Sequence, residues 1–146
     1  MSSDRSVEVG KTGEVTAHHI ATQPVHLGLG ATAVVEPEFT GEMEWYAAYA
    51  DRHAGDDAEG RLVTMHTFTE SWDVWEMHPV GCEVVLCTDG ALTLHQECRD
   101  GSTATITLAA GDYAVNAPGT WHTADVEGSA TAVFITAGLG TEHRPR

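Results

Sequence analysis

From Gly60 onward the sequence is a succession of short segments rich in threonine, valine and aromatic residues, each closed by a turn signal. They run Arg61 to Thr69, Asp73 to His78, Glu83 to Cys87, Ala91 to Gln96, Thr103 to Leu108, Tyr113 to Asn116, Thr120 to Val126 and Thr131 to Ala137. Side chains of this kind suit the pleated, half-buried surface of a strand. Asp89-Gly90, Asp100-Gly101, Gly111-Asp112 and Glu127-Gly128 supply the residues that hairpin turns need. Strands repeating at roughly 8 to 12 residues predict an all-β chain, folded as an antiparallel sandwich or barrel.

Upstream the pattern differs. Residues 1–22 are polar, with His18-His19 their only unusual feature, and read as an amino-terminal arm or an edge strand. Residues 23–146 then form one domain, with its core over 61–137. Leu27 to Phe39 alternates weakly, and Glu36-Pro37 predicts that a short strand ends there in a turn. Over Thr40 to Ala54, Glu42 and Glu44 suit a first helical turn, and Met43, Tyr46, Tyr49 and Ala50 recur at helical spacing. One short helix is expected there. The acidic, glycine-rich run from Ala54 to Gly60 reads as a solvated loop, because its carboxylates lack the spacing of a calcium loop.

Charge narrows the partners. Among 146 residues, 22 are acidic and 7 are Lys or Arg, a formal net charge of -15, and Lys11 is the only lysine. Such a field repels phosphate backbones and anionic lipid, so neither nucleic acid nor a membrane is expected as a partner. Cations and small neutral molecules are. No run of about 18 apolar residues occurs, and Met1 to Lys11 lacks the apolar stretch of a signal peptide. Cys82, Cys87 and Cys98 have no paired spacing and are expected to be reduced thiols in a cytoplasmic protein.

Chemistry concentrates in two stretches. In Glu76-Met77-His78, two side chains two residues apart leave the same face of a strand, as two ligands of one ion must. Glu83 follows across Pro79-Val80-Gly81-Cys82, where the chain can turn and return a second carboxylate to that face. His122, after Pro118-Gly119-Thr120-Trp121, would complete the set.

These stretches resemble the two motifs of the cupin superfamily. Its first motif is H-x-H, three or four residues, E, six residues and G; Glu76-x-His78, four residues, Glu83, six residues and Gly90 keep that spacing. Its second is a glycine, a proline-glycine turn and a histidine, matched by Gly111, Pro118-Gly119 and His122. The four-residue spacer is similar to that of germin-like members. The resemblance implies a double-stranded β-helix, the jelly-roll barrel, with a divalent ion held inside. It carries over to His78, Glu83 and His122. At Glu76 the chain departs from the usual histidine, and Glu70, Ala117 and Val126 are further departures.

A carboxylate can also ligate, so the expected metal set is Glu76, His78, Glu83 and His122, harder and more negative than the usual one, with Fe, Mn, Zn or Ni as the ion. Glu76 either completes this set or acts as general base. The resemblance implies a metal-dependent enzyme acting on a small organic molecule, of oxygenase, isomerase, lyase or cyclase type, working as a homodimer. The alternative is a non-catalytic module that binds or senses a small ligand. Without an ion the same groups would form an acid–base pocket with raised carboxyl pKa values.

Other side chains leave alternatives open. His66 and His95 line the barrel or face solvent according to strand parity. Trp75 and Trp121 flank ligand positions and so point to the opposite face, for packing under the helix or at a subunit contact. Cys87 shares the parity of Glu83 and reads as a small buried hydrophobe, with a soft ligand or nucleophile as the alternative. The end of the chain carries His143 and Arg144, which either fold back over a barrel mouth or belong to a disordered tail.

Overall fold

The computed structural model describes residues 15–146, so most of the predicted arm over 1–22 lies outside the described residues. The strands are β1 (Val25–Gly28), β2 (Thr32–Val35), β3 (Arg61–Phe68), β4 (Val74–Met77), β5 (Glu83–Glu97), β6 (Thr103–Ala109), β7 (Tyr113–Asn116), β8 (Trp121–Thr136) and β9 (Glu142–Pro145). Among the described residues one α-helix, α1 (Met43–Arg52), lies between β2 and β3. The strands join in the order β2-β1-β3-β8-β4-β9, while β5 pairs with β8, β6 and β7. Every pairing is antiparallel, giving the jelly-roll predicted from the motifs.

Two long bent strands are the spine. The segments Glu83 to Cys87 and Ala91 to Gln96 are continuous as β5, and Thr120 to Val126 and Thr131 to Ala137 are continuous as β8. Asp89-Gly90 and Glu127-Gly128 are therefore not hairpins. One ladder runs through both segments, with Asp89 opposite Thr131 and Gly90 opposite Ala130; its register shifts twice, between Cys87 and Asp89 and between Gly90 and Leu92, and Glu127-Gly128 falls within the second shift. The unequal residue counts there are taken up as a bulged stretch, which bends both strands instead of reversing them. Asp100-Gly101 does turn the chain, with the Asp100 carboxylate accepting from the Ser102 amide at 2.9 Å. Gly111-Asp112 is a corner: β6 and β7 both pair with β5 rather than with each other.

The bulge also decides what the barrel holds. Before it Glu83, Val85 and Cys87 point inward, and after it Leu92 and Leu94 do, so the buried face changes from odd to even numbers. Val85, Cys87, Leu92 and Leu94 pack with Leu108, Ala124, Ala130, Ala132 and Phe134, and Phe68, Trp72 and Val126 close over them. Burial of this apolar surface stabilises the barrel by about 25 cal/mol per Å² removed from water.

The helix docks one step away from the expected stripe. Met43 is 78% exposed and Tyr46 41%, and Trp45 is the buried residue. Trp45 stacks on Tyr49 at 5.8 Å between ring centroids and donates from Nε1 to the Pro37 carbonyl at 3.3 Å. An indole needs a partner for its N–H when it leaves water, and the chain bend at Pro37 offers one. The acidic run after α1 is 3-10 helix over Ala54–Glu59, broken at Asp57; it is largely exposed, with Asp56 anchored by a bond to His26 Nε2 at 2.6 Å.

Candidate metal centre

Strand β4 lies between β8 and β9, and the register places Glu76 opposite His122 on one side and His143 on the other. Alternation then aims Glu76 into the barrel, and His78 follows it on the same face. The turn after His78 leads straight into Glu83, the first residue of β5. A second turn, closed by the Thr120 amide on the Ala117 carbonyl, holds the Gly119 amide 2.9 Å from the His78 carbonyl. Gly119 has a φ of +80°, the left-handed region that glycine adopts without strain. The backbone thus ties the two motif stretches together beside the site.

The four side chains converge. His78 Nε2 is 3.2 Å from Glu76 Oε1 and 3.2 Å from Glu83 Oε2. His122 Nε2 is 3.4 Å from Glu76 Oε1 and 3.1 Å from Glu83 Oε1. One ligand atom of each of the four lies within 4.8 Å of the others. Donors held about 2.0–2.2 Å from a common centre are themselves roughly 3.0–3.5 Å apart, so these spacings fit a divalent ion. Both Nε2 atoms are buried and, among the described residues, neither has a hydrogen-bond partner. Buried polar atoms are seldom left so. An ion between them would satisfy both.

No family model matches the chain, and no curated protein matches it by sequence. Solved structures share its backbone. Peruvianin-I, a cysteine peptidase from Thevetia peruviana latex, is 15% identical and superposes with a TM-score of 0.53 over 100% of this chain and 80% of its own. An oxalate oxidase is 17% identical, TM-score 0.49, over 56% of this chain and 44% of its own, so the match spans less than half of that protein. A cupin-2 domain containing protein from Shewanella frigidimarina is 23% identical, TM-score 0.43, over 59% and 71%. At such identities the likeness is one of fold.

The chain has a cupin-like jelly-roll fold. Within it, each inward side chain of the cluster has an outer partner. Asn116 Nδ2 donates to Glu83 Oε1 at 3.1 Å and the Thr136 hydroxyl to Oε2 at 2.6 Å. Gln96 in turn donates to Asn116 at 2.7 Å. His78 Nδ1 bonds the Thr141 hydroxyl at 2.7 Å, His122 Nδ1 lies 3.4 Å from the Thr120 carbonyl, and Glu76 Oε2 bonds His143 Nε2 at 2.9 Å. Asn116, Thr136 and Thr141 escaped the sequence reading, because a lone polar residue on a strand carries no spacing signal.

The electrostatics of the ion-free cluster differ from the expectation of raised carboxyl pKa values. Burial does press Glu76 and Glu83 upward, but the facing imidazoles of His122 and His78 override it and hold both carboxyls well below the usual range. Burial presses His78 and His122 downward, and the two carboxylates override that too, raising each to about 9. The carboxylates do not confront each other, since two imidazolium rings stand between them as counter-charges.

A stability profile follows for the metal-free protein. Histidines raised above 6.5 contribute stability that is complete below that pH and is lost as pH rises through about 9. Carboxyls lowered below 4.5 contribute stability that is present above it and lost on acidification. The melting midpoint of EDTA-treated protein is therefore expected to peak between about pH 4.5 and 6.5 and to fall by on the order of 5 °C or more by pH 9.5. Calorimetry across that range checks it; a midpoint flat from pH 6 to 9.5 contradicts it.

The remaining candidates separate cleanly. His66 packs inward between Phe39 at 5.3 Å and Phe134 at 5.8 Å, and burial lowers its pKa against the opposing charge of Glu76. Tyr46 of α1 is raised by burial first and then by the Glu76 charge. His95 faces outward, bonded to Thr105 at 3.0 Å and Asp125 at 2.7 Å. Cys87 is buried with its thiol toward the Asp89 and Gly90 carbonyls, and all three cysteines are free. Trp75 and Trp121 take the outer face as expected, but Arg144 covers them rather than the helix, at 5.2 and 4.5 Å from the ring centroids.

A second cluster of ligand-type side chains joins His26, His53 and Asp56. His26 is bonded at both nitrogens, to Tyr49 at 2.6 Å and Asp56 at 2.6 Å, so it has no lone pair to offer an ion. Its ring stacks on His53 at 3.6 Å, and His53 reaches the buried Glu36 at 2.8 Å. The network ties α1 to β1.

Proposed function

We propose that this cupin is a metal-dependent enzyme acting on a small organic molecule, with Fe, Mn, Zn or Ni held by Glu76, His78, Glu83 and His122. The observation that carries this reading is the pair of buried, unpartnered Nε2 atoms facing two carboxylates at 3.1–3.4 Å. Two imidazoles and two carboxylates suit these ions better than copper. A bound ion would supply Lewis acidity at a substrate oxygen.

The chain's own residues divide the remaining work. Glu76 is the most exposed of the four, its side chain 27% accessible, whereas those of His78 and Glu83 are 5% and 3% and that of His122 is 0%. Substrate therefore approaches from the Glu76 side. Tyr46 and His66 both stay neutral at neutral pH, one held up and the other down by burial, and can donate or accept a hydrogen bond beside a charged centre. Glu83, buried and bonded by Asn116 and Thr136, serves to hold rather than to exchange protons.

Metal content of tag-free protein, read by plasma mass spectrometry, tests the reading. The wild type is expected to hold about one equivalent of one of these ions, and Glu76→Gln to lose affinity by roughly tenfold or more if Glu76 ligates. Full occupancy in Glu76→Gln would reassign Glu76 as a base alone. No metal under supplementation with any of the four would sink the metalloenzyme and leave a binding or sensing module.

A further inference from the structure

The last nine residues contain none of the four proposed ligands, yet they touch two of them. Thr141 Oγ1 donates its single proton to the Gly138 carbonyl at 2.8 Å, so toward His78 Nδ1, 2.7 Å away, it can act only as an acceptor. When His78 is neutral, as a ligand must be, it then carries its proton on Nδ1 and turns the lone pair of Nε2 into the cluster. On the other side, His143 Nε2 holds Glu76 Oε2 at 2.9 Å, leaving Oε1 as the oxygen that faces both imidazoles.

The segment is held firmly enough to do this. Alternation along β9 places His143 beside Glu76 and Arg144 beside Trp75, in register with each, and His143 remains half-exposed at the rim of the site. Arg144 lies over the Trp75 and Trp121 rings and donates to Glu97 at 2.9 Å, a cation over two aromatic faces with a carboxylate at its edge. Arg146 pairs with Asp125 and donates to the Trp72 and Ala124 carbonyls at 3.0 and 3.2 Å.

We propose that residues 138–146 form the outer shell of the metal centre, with Thr141 setting the tautomer of His78 and His143 setting the orientation of Glu76. The affinity of the centre is thus governed by a strand that contributes no ligand. This rests on the reading of Glu76 and His78 as ligands. It also gives Glu76 a reason to work as one: a carboxylate on a flexible side chain needs its second oxygen tied down, and His143 ties it.

The test uses Co(II) as the probe ion, titrated into metal-free full-length protein and followed by its d–d absorption. Thr141→Val removes the acceptor at nearly constant volume and is expected to weaken Co(II) binding about 10–100-fold and to change the absorption envelope, while Thr141→Ser restores most of the affinity. His143→Ala is expected to do the same through Glu76, with His143→Gln, which keeps an N–H donor, recovering it. The Ser and Gln rescues separate hydrogen bonding from a general loosening of the strand. Variants that fold and bind Co(II) as tightly as the wild type, with an unchanged spectrum, overturn the outer-shell role. Failure of the wild type itself to bind Co(II) overturns the metal centre and the outer shell with it.

Discussion

His122→Ala protein is expected to emerge from purification with almost no metal, against about one equivalent in the wild type. His122 is fully buried, stands across the ladder from Glu76, and is the sole nitrogen of the cluster contributed by β8. Removing it leaves three donors. It also takes a counter-charge from two buried carboxylates, whose pKa values must rise, so protons compete with the ion. The loss in affinity should exceed the 10–100-fold typical of an outer-shell change. Mass spectrometry for metal, with near-ultraviolet circular dichroism to confirm that the barrel has folded, decides the matter. A folded His122→Ala protein that keeps a full equivalent would mean that the ion sits elsewhere. His122→Gln, closer in volume, guards against an empty space that merely collapses.

Gly90→Ala is expected to cost at least about 3 kcal/mol and to lower the melting midpoint by roughly 8 °C or more. Two effects add at this position. Its φ of +70° is left-handed, and a Cβ would run into the backbone carbonyl of Ser129 across the bulge. Left-handed backbone alone costs a non-glycine residue on the order of 1–2 kcal/mol. Gly128 isolates that part, because its φ is +73° but nothing stands within 4 Å of a Cβ built there. Gly128→Ala should therefore lose only about 1–2 kcal/mol. Equal losses in the two variants, measured by urea titration, would show that the close approach of β5 to β8 does not matter. The glycine that ends the first motif is thus read as a requirement of strand packing, not of metal chemistry.

Much of the barrel was legible because it rests on local chemistry. The strand segments, the Asp100-Gly101 turn, the helix near Thr40 to Ala54 and the shared face of Glu76 and His78 all follow from side-chain type and a period of two or of three to four. What failed did so where two local signals met across space. Asp89-Gly90 and Glu127-Gly128 each looked like a hairpin, and each would make one alone. In the folded ladder they do not pair with each other but lie at its two register shifts. Those shifts moved the inward face from Cys87 to Leu92, which is why parity counted from Glu83 could not place His95.

The same distinction runs through the site. Spacing by itself determined that Glu76 and His78 share one face, because a strand alternates whatever it packs against, whereas Glu83 and His122 joined them through the resemblance to the cupin motifs. Only the tertiary structure decided that His143 returns beside Glu76, that Thr141 accepts from His78, and that Tyr46 and His66 stand within reach of the Glu76 charge. It also decided the sign of the carboxyl shifts, since burial and the facing imidazoles act in opposition and only their distances say which prevails. Periodicity is a property of neighbouring residues in the chain. Hydrogen-bond partners and electric fields belong to residues that folding brings together from far apart.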